Sequence, residues 1–211
     1  KPDRRQRQMC IRDRYNIHKL KYFRIMRGNL ETIVGAMFAG KTSELLKRIL
    51  WAKHQNKKII VIKPSIDNRY SNEKIITHND LSHDCYPMKN WTSALKDFEF
   101  TKEKVDVVFL DEIQFMDTDD TLNNVEIILN KGIDVVCAGL DQDSRGKPWE
   151  TSSMLLGLSD KIVKIYGFCN VCGFEATKTF RKTEGGERTQ VGAANIYCLL
   201  YTSPSPRDLY R

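Results

Sequence analysis

Gly35-Ala36-Met37-Phe38-Ala39-Gly40-Lys41-Thr42 is the stretch on which the fold turns, because it matches G-x-x-x-x-G-K-[ST] in full. Glycines in such a turn let backbone N–H groups point inward around phosphates, and the positive end of the following helix adds to the attraction. Lys41 would reach the outer phosphates, and the Thr42 hydroxyl would hold Mg²⁺. The flanks supply the context that the motif needs. Residues 30–34 are expected as a short strand that ends at the Gly-rich turn, and residues 42–54 carry Leu45, Leu46, Ile49 and Leu50 at helical spacing. Strand, phosphate turn and helix therefore follow one another.

Further along, residues 59–62, 105–110 and 133–140 are short aliphatic runs of the kind that fill buried parallel strands. A helix is expected over residues 123–130, ending before Gly132. Alternating strands and helices predict an α/β fold, a P-loop parallel sheet with flanking helices. Residues 161–165 and 178–180 are expected as strands of a smaller module around Cys169-Asn170-Val171-Cys172. The run over 105–110 leads into Asp111-Glu112. An acidic pair at a strand end is where a P-loop protein keeps a second magnesium-holding carboxylate. Asp111 is expected to hold the ion, and Glu112 to orient or deprotonate the nucleophile.

Composition narrows the classes. The 211 residues carry a formal net charge of +7, and 41% are apolar. Nine Lys or Arg against two Asp in residues 1–25 account for a net +7, while residues 26–198 come to −1. A face that tracks a phosphate backbone would concentrate positive charge in the folded body, so nucleic acid is not the expected partner. No run reaches the length of a membrane span, and the first 25 residues lack the apolar centre of a secretory signal, so a cytoplasmic location is expected. Of the six cysteines only Cys169 and Cys172 are close, a spacing that suggests a metal or redox pair; Cys85 and Cys137 are expected as isolated thiols.

Asp111-Glu112-Ile113-Gln114-Phe115 makes the sequence specific. Together with Met37-Phe38-Ala39-Gly40-Lys41-Thr42, Asp67-Asn68-Arg69-Tyr70, Leu140-Asp141, Gly146-Lys147-Pro148-Trp149, the C-x-x-C and Val191-Gly192-Ala193-Ala194-Asn195-Ile196-Tyr197, it resembles the thymidine kinases of the cytosolic, zinc-containing type. The resemblance spans about residues 26–197. It implies transfer of the ATP γ-phosphoryl group to the 5′-hydroxyl of thymidine, with deoxyuridine as a second acceptor, in pyrimidine deoxynucleotide salvage for DNA synthesis.

The resemblance also implies roles for residues. Glu112 matches the catalytic base. ATP would be bound by Gly35, Ala36, Met37, Phe38, Ala39, Gly40, Lys41, Thr42, Asp67, Arg69, Asp111 and Gln114, with Mg²⁺ on Thr42 and Asp111. The nucleoside pocket would be walled by Met37, Phe115, Leu140, Trp149, Thr179 and Tyr197, and closed by a lasso-type loop of Arg188, Thr189, Gln190, Val191 and Gly192. Cys169 and Cys172 match one half of a zinc site. A homotetramer and feedback inhibition by the triphosphate end product are implied as well.

This sequence departs from the family pattern at two places. The positions of the second zinc-ligand pair are held by Tyr201 and Pro204, neither of which binds zinc, and Cys198 is out of register. Ser144 stands where the family often has an aromatic residue. The expected organisation is a disordered or non-native leader over 1–25, a P-loop kinase domain over 26–160, an incomplete zinc-ribbon and lasso module over 161–198, and a non-native tail over 199–211. Two rival readings follow: a DNA-stimulated P-loop ATPase, and a kinase fold inactivated by loss of the second zinc-ligand pair.

Overall fold

Aliphatic runs too short for helices have zipped side by side into a six-stranded sheet in the computed structural model, which describes residues 27–65, 74–76, 82–88, 90–91, 105–182 and 196–200. The strands are β1 (Leu30–Gly35), β2 (Ile59–Pro64), β5 (Tyr86–Met88), β6 (Val107–Leu110), β7 (Asp134–Gly139) and β8 (Lys161–Ile165), in the order β5-β2-β6-β7-β1-β8. Every pairing in this sheet is parallel. A short separate hairpin pairs β3 (Lys74–Ile76) with β4 (Ser82–Asp84).

Side chains alternate across the sheet, and each face buries its own helices. One face carries Leu30, Val108, Leu110, Val135 and Cys137 against Val125, Ile128, Leu129 and Leu155. These come from α2 (Thr118–Asn130) and α3 (Glu150–Leu158). The other carries Ile33, Val107, Phe109, Val136 and Ala138 against Leu45, Leu46, Ile49 and Ala52 of α1 (Lys41–His54). Both faces are therefore covered, as a parallel sheet requires. Asp117 starts α2 by accepting the N–H of Asp120, which is why this helix begins five residues before the expected 123.

The β8 strand corrects an expectation. Residues 161–165 were assigned to the smaller module, yet Glu31–Gly35 pairs with them in parallel, so they complete the main sheet. The reason is edge chemistry: Lys161 and Lys164 face water on an outer strand, where charge blunts an open edge.

The smaller module pairs β9 (Gly167–Phe168) with β10 (Glu175–Ala176), and β11 (Lys178–Arg181) with β12 (Tyr197–Leu200). Leu199, at the head of the expected tail, is buried with Ala36, Cys169 and Ala176, because it alternates inward along β12. The expected leader over 1–25, residues 201–211, and the ligand candidates Asp67, Arg69, Arg188, Thr189, Gln190, Val191 and Gly192 lie outside the described residues.

Candidate active site

The parallel sheet sets the geometry of the site, since all six strands end at one edge and ligands gather there. β1 and β6 are separated only by β7, so their ends stand two strand spacings apart, about 10 Å.

At the end of β1 the chain turns through residues 36–40 into α1. Gly40 takes φ 91°, a left-handed backbone that glycine adopts without strain, and nothing lies within 4 Å of where a side chain would stand. No side chain caps α1. Its first N–H groups, at the positive end of the helix, open onto that space and suit an anion. Lys41 Nζ donates to the Ala36 carbonyl at 2.8 Å, folding its charge back over the turn. Thr42 lies half-buried in the first turn of α1, and Ala36, Met37, Phe38 and Ala39 form the turn itself.

At the end of β6, the Asp111 N–H donates to the Ile62 carbonyl at 2.9 Å, which keeps Asp111 in the sheet. Its carboxylate is buried and accepts the N–H of Glu112 at 3.0 Å. Burial pushes the Asp111 carboxyl up to about 7, and the charge of Glu112 pushes the same way. The bond from Glu112 N–H and the cations of Lys63 and Lys41 oppose this. Glu112 itself holds a left-handed backbone, φ 52° and ψ 43°. Gln114 is buried, donates from Nε2 to Glu112 Oε2 at 2.5 Å, and accepts the Leu140 N–H at 2.9 Å.

The expected pocket residues fall into neighbouring groups. The rings of Phe115 and Trp149 meet edge to face with centroids 6.2 Å apart. Leu140, half-buried at the end of β7, is tied to them through Gln114. Trp149 returns to that strand end by a tight excursion in which its N–H donates to the Asp141 carbonyl, and Asp143 accepts the N–H groups of Arg145 and Lys147. Ser144 sits half-buried on this excursion. Met37 N–H donates to the hydroxyl of buried Thr179 at 2.9 Å, so β11 rests on the phosphate turn. Tyr197 is buried beneath the guanidinium of Arg181 at 5.9 Å. Lys178 Nζ also donates to Gln142 Oε1, a second tie between the small module and the main domain.

Cys169 and Cys172 form a knuckle. Cys169 N–H donates to the Phe174 carbonyl, the Cys169 carbonyl accepts Gly173 N–H, and the Cys169 sulfur accepts Val171 N–H. Among the described residues no group of three or more His, Cys, Asp or Glu side chains is placed to hold a metal. The donors described do not reach the four that a structural zinc takes. For Mg²⁺ the fit is better. Asp111 is a buried carboxylate at the same sheet end as the anion-binding turn, and Thr42 lies in the first turn of the helix that follows that turn.

Two groups were given no role from the sequence. Lys63 is a buried lysine at the end of β2 whose charge acts on Asp111; a lysine closing an aliphatic run was the available signal, since lysine is almost never buried without a partner. Asp141, also buried, pairs with Lys164 Nζ at 2.9 Å, from the end of β7 to β8, with β1 between the two strands.

Comparison with known proteins adds two findings. A family model described as thymidine kinase matches residues 28–201. Among solved structures, domain III of the Thermotoga maritima replication initiation protein DnaA matches at 17% identity and a TM-score of 0.39, over 66% of this chain and 55% of that one. This chain therefore spans little more than half the length of that structure.

Proposed function

The chain belongs to the thymidine kinase family, ATP-dependent nucleoside kinases, and from that premise we propose that it transfers the ATP γ-phosphoryl group to the 5′-hydroxyl of thymidine. One observation carries the assignment to this site: the phosphate turn after β1 and the Asp111-Glu112 pair after β6 lie at the same end of one parallel sheet, with only β7 between them.

Phosphoryl transfer needs positioning and charge stabilisation more than covalent help from the protein. In our reading the N–H groups of residues 40–42, at the start of α1, hold the β- and γ-phosphates, and Lys41 leaves the Ala36 carbonyl to follow the transferring group. Thr42 and Asp111 would hold Mg²⁺, which supplies charge neutralisation between the phosphates. Glu112 aims the 5′-hydroxyl at the γ-phosphorus and accepts its proton as the new P–O bond forms and the β–γ bridge breaks, releasing ADP. Phe115, Leu140 and Trp149 wall the pyrimidine on one side, with Met37, Thr179 and Tyr197 on the side of the small module; Arg188, Thr189, Gln190, Val191 and Gly192 would close over it. Asp67 and Arg69 would stand by the phosphates.

A zinc-ribbon module and a homotetramer rest on resemblance, as does the salvage role in the cytoplasm. No helix among the described residues is long and apolar enough to cross a membrane. The DNA-stimulated ATPase is disfavoured by family membership and by the near-neutral body of the chain. A phosphoryl-transfer assay with ATP and a panel of nucleosides tests the proposal. Thymidine should be the preferred acceptor, and Lys41→Ala and Glu112→Gln should each lower turnover at least about 100-fold, the size of losing a charge stabiliser or an acid–base group. Parent-like turnover in Glu112→Gln would remove the base from the mechanism.

A further inference from the structure

We propose that Gln114 is a positioning residue that fixes the carboxylate of Glu112 against the pocket wall, rather than a contact to the nucleotide. The inference rests on the reading of Glu112 as the base. Gln114 is 5% exposed and lies on the 3₁₀ turn Ile113–Phe115 that follows the acidic pair. Its amide oxygen accepts the Leu140 N–H at 2.9 Å, and a backbone N–H can only donate. That bond settles which end of the amide is which, and it turns Nε2 toward Glu112 Oε2, 2.5 Å away. A short bond from an amide N–H to a carboxylate is charge-assisted and strongly directional. Gln114 therefore links the proton acceptor at the end of β6 to Leu140 at the end of β7, which borders the nucleoside pocket.

The surroundings are shaped for this link. A Cβ on Gly139 would stand 2.7 Å from Gln114 Oε1 and 2.5 Å from Ile113 Cγ1, closer than side chains pack. The bare backbone at 139 is what lets the amide reach the end of β7. Glu112 meanwhile holds a left-handed backbone that a non-glycine residue adopts at a cost and keeps only where its neighbours enforce it. A nucleotide contact through Gln114 would have to compete with bonds that already occupy its oxygen and one N–H inside a buried site.

The test is a double-mutant cycle on the full chain. Gln114→Met keeps the bulk and removes both bonds, and it should lower kcat about 10- to 100-fold with the ATP KM changed less than about 3-fold, since misplacing a reacting group by an ångström costs that much. In a Glu112→Gln background the same substitution should cost less than about 3-fold more, because a residue acting through Glu112 has nothing left to position. A structural role would multiply equally in both backgrounds, and that result overturns the inference. So does a loss carried by ATP KM with kcat unchanged. Gln114→Glu keeps an acceptor for Leu140 N–H but presents a carboxylate to Glu112. It should lose kcat as Gln114→Met does, and it decides the matter if Gln114→Met does not fold; parent-like kcat in it overturns the inference. Parent-like turnover in Glu112→Gln defeats the base assignment and this inference together. Parent-like Gln114→Met beside an impaired Glu112→Gln defeats this inference alone.

Discussion

Replacing Asp111 by Asn should stabilise the metal-free protein at alkaline pH while removing its activity. Asp111 is buried at the end of β6, and its carboxyl rises from 3.8 to about 7, first through burial and then through the charge of Glu112. At 1.36 kcal/mol per pK unit, that rise is a penalty of roughly 4 kcal/mol on the ionised form. The attraction to Lys63 and Lys41 is already inside this figure. Since the folded value lies above the unfolded one, the native state keeps a proton that the unfolded chain releases. Stability is therefore full below about pH 4 and is lost as pH rises to about 7. Asparagine of the same shape still accepts the Glu112 N–H but brings amide N–H donors into the buried site, at a cost of about 1 kcal/mol. The net gain at pH 8 should be about 1–3 kcal/mol, or a Tm higher by roughly 3–10 °C for a chain of this size. Thermal unfolding in chelator, without nucleotide, at pH 4.5 and pH 8 reads both halves. The two proteins should melt within about 2 °C of each other at pH 4.5 and separate at pH 8. An Asn variant that melts at or below the parent at pH 8, or a gap equal at both pH values, would refute the reasoning.

Two further outcomes follow from particular contacts. Gly139→Ala forces a methyl group against Ile113 and Gln114, so it should cost about 2 kcal/mol or more in denaturant unfolding; an unchanged midpoint would mean that the end of β7 is looser than described. Purified protein should hold well under one tightly bound zinc per chain by elemental analysis, because Tyr201 and Pro204 stand where the family pattern has its second ligand pair; stoichiometric, tightly held zinc would contradict that reading of the tail.

Much of the architecture was legible because burial leaves a simple mark. The aliphatic runs around Val61, Phe109 and Val136 are buried on both faces and carry no polar interruption. The phosphate turn was legible because few residues can make it. The remainder was hidden for physical reasons. An edge strand such as Lys161–Ile165 shows lysines to water and reads like part of any exposed module. The strand Tyr86–Met88 is three residues long with a proline at its centre, which a sheet tolerates only at its edge. Helix α3 buries Thr151 and Ser152 along with Leu155, so its inward face is not an apolar stripe. Thr151 is satisfied there by the Met116 carbonyl, a partner 35 positions away. In the candidate site, residue types announced Lys41, Asp111 and Glu112, whereas Lys63 and the link made by Gln114 depend on which strand ends meet. Asp67, Arg69 and the segment 188–192 remain expectations from the sequence.

The central claim is that one sheet edge passes a phosphoryl group from ATP to a nucleoside. The most direct measurement follows ADP and thymidine 5′-monophosphate together, with and without thymidine and with and without DNA. One monophosphate should form per ADP, with ADP production falling to background when thymidine is withheld and unmoved by DNA. ADP production that persists without thymidine and rises with DNA would contradict it.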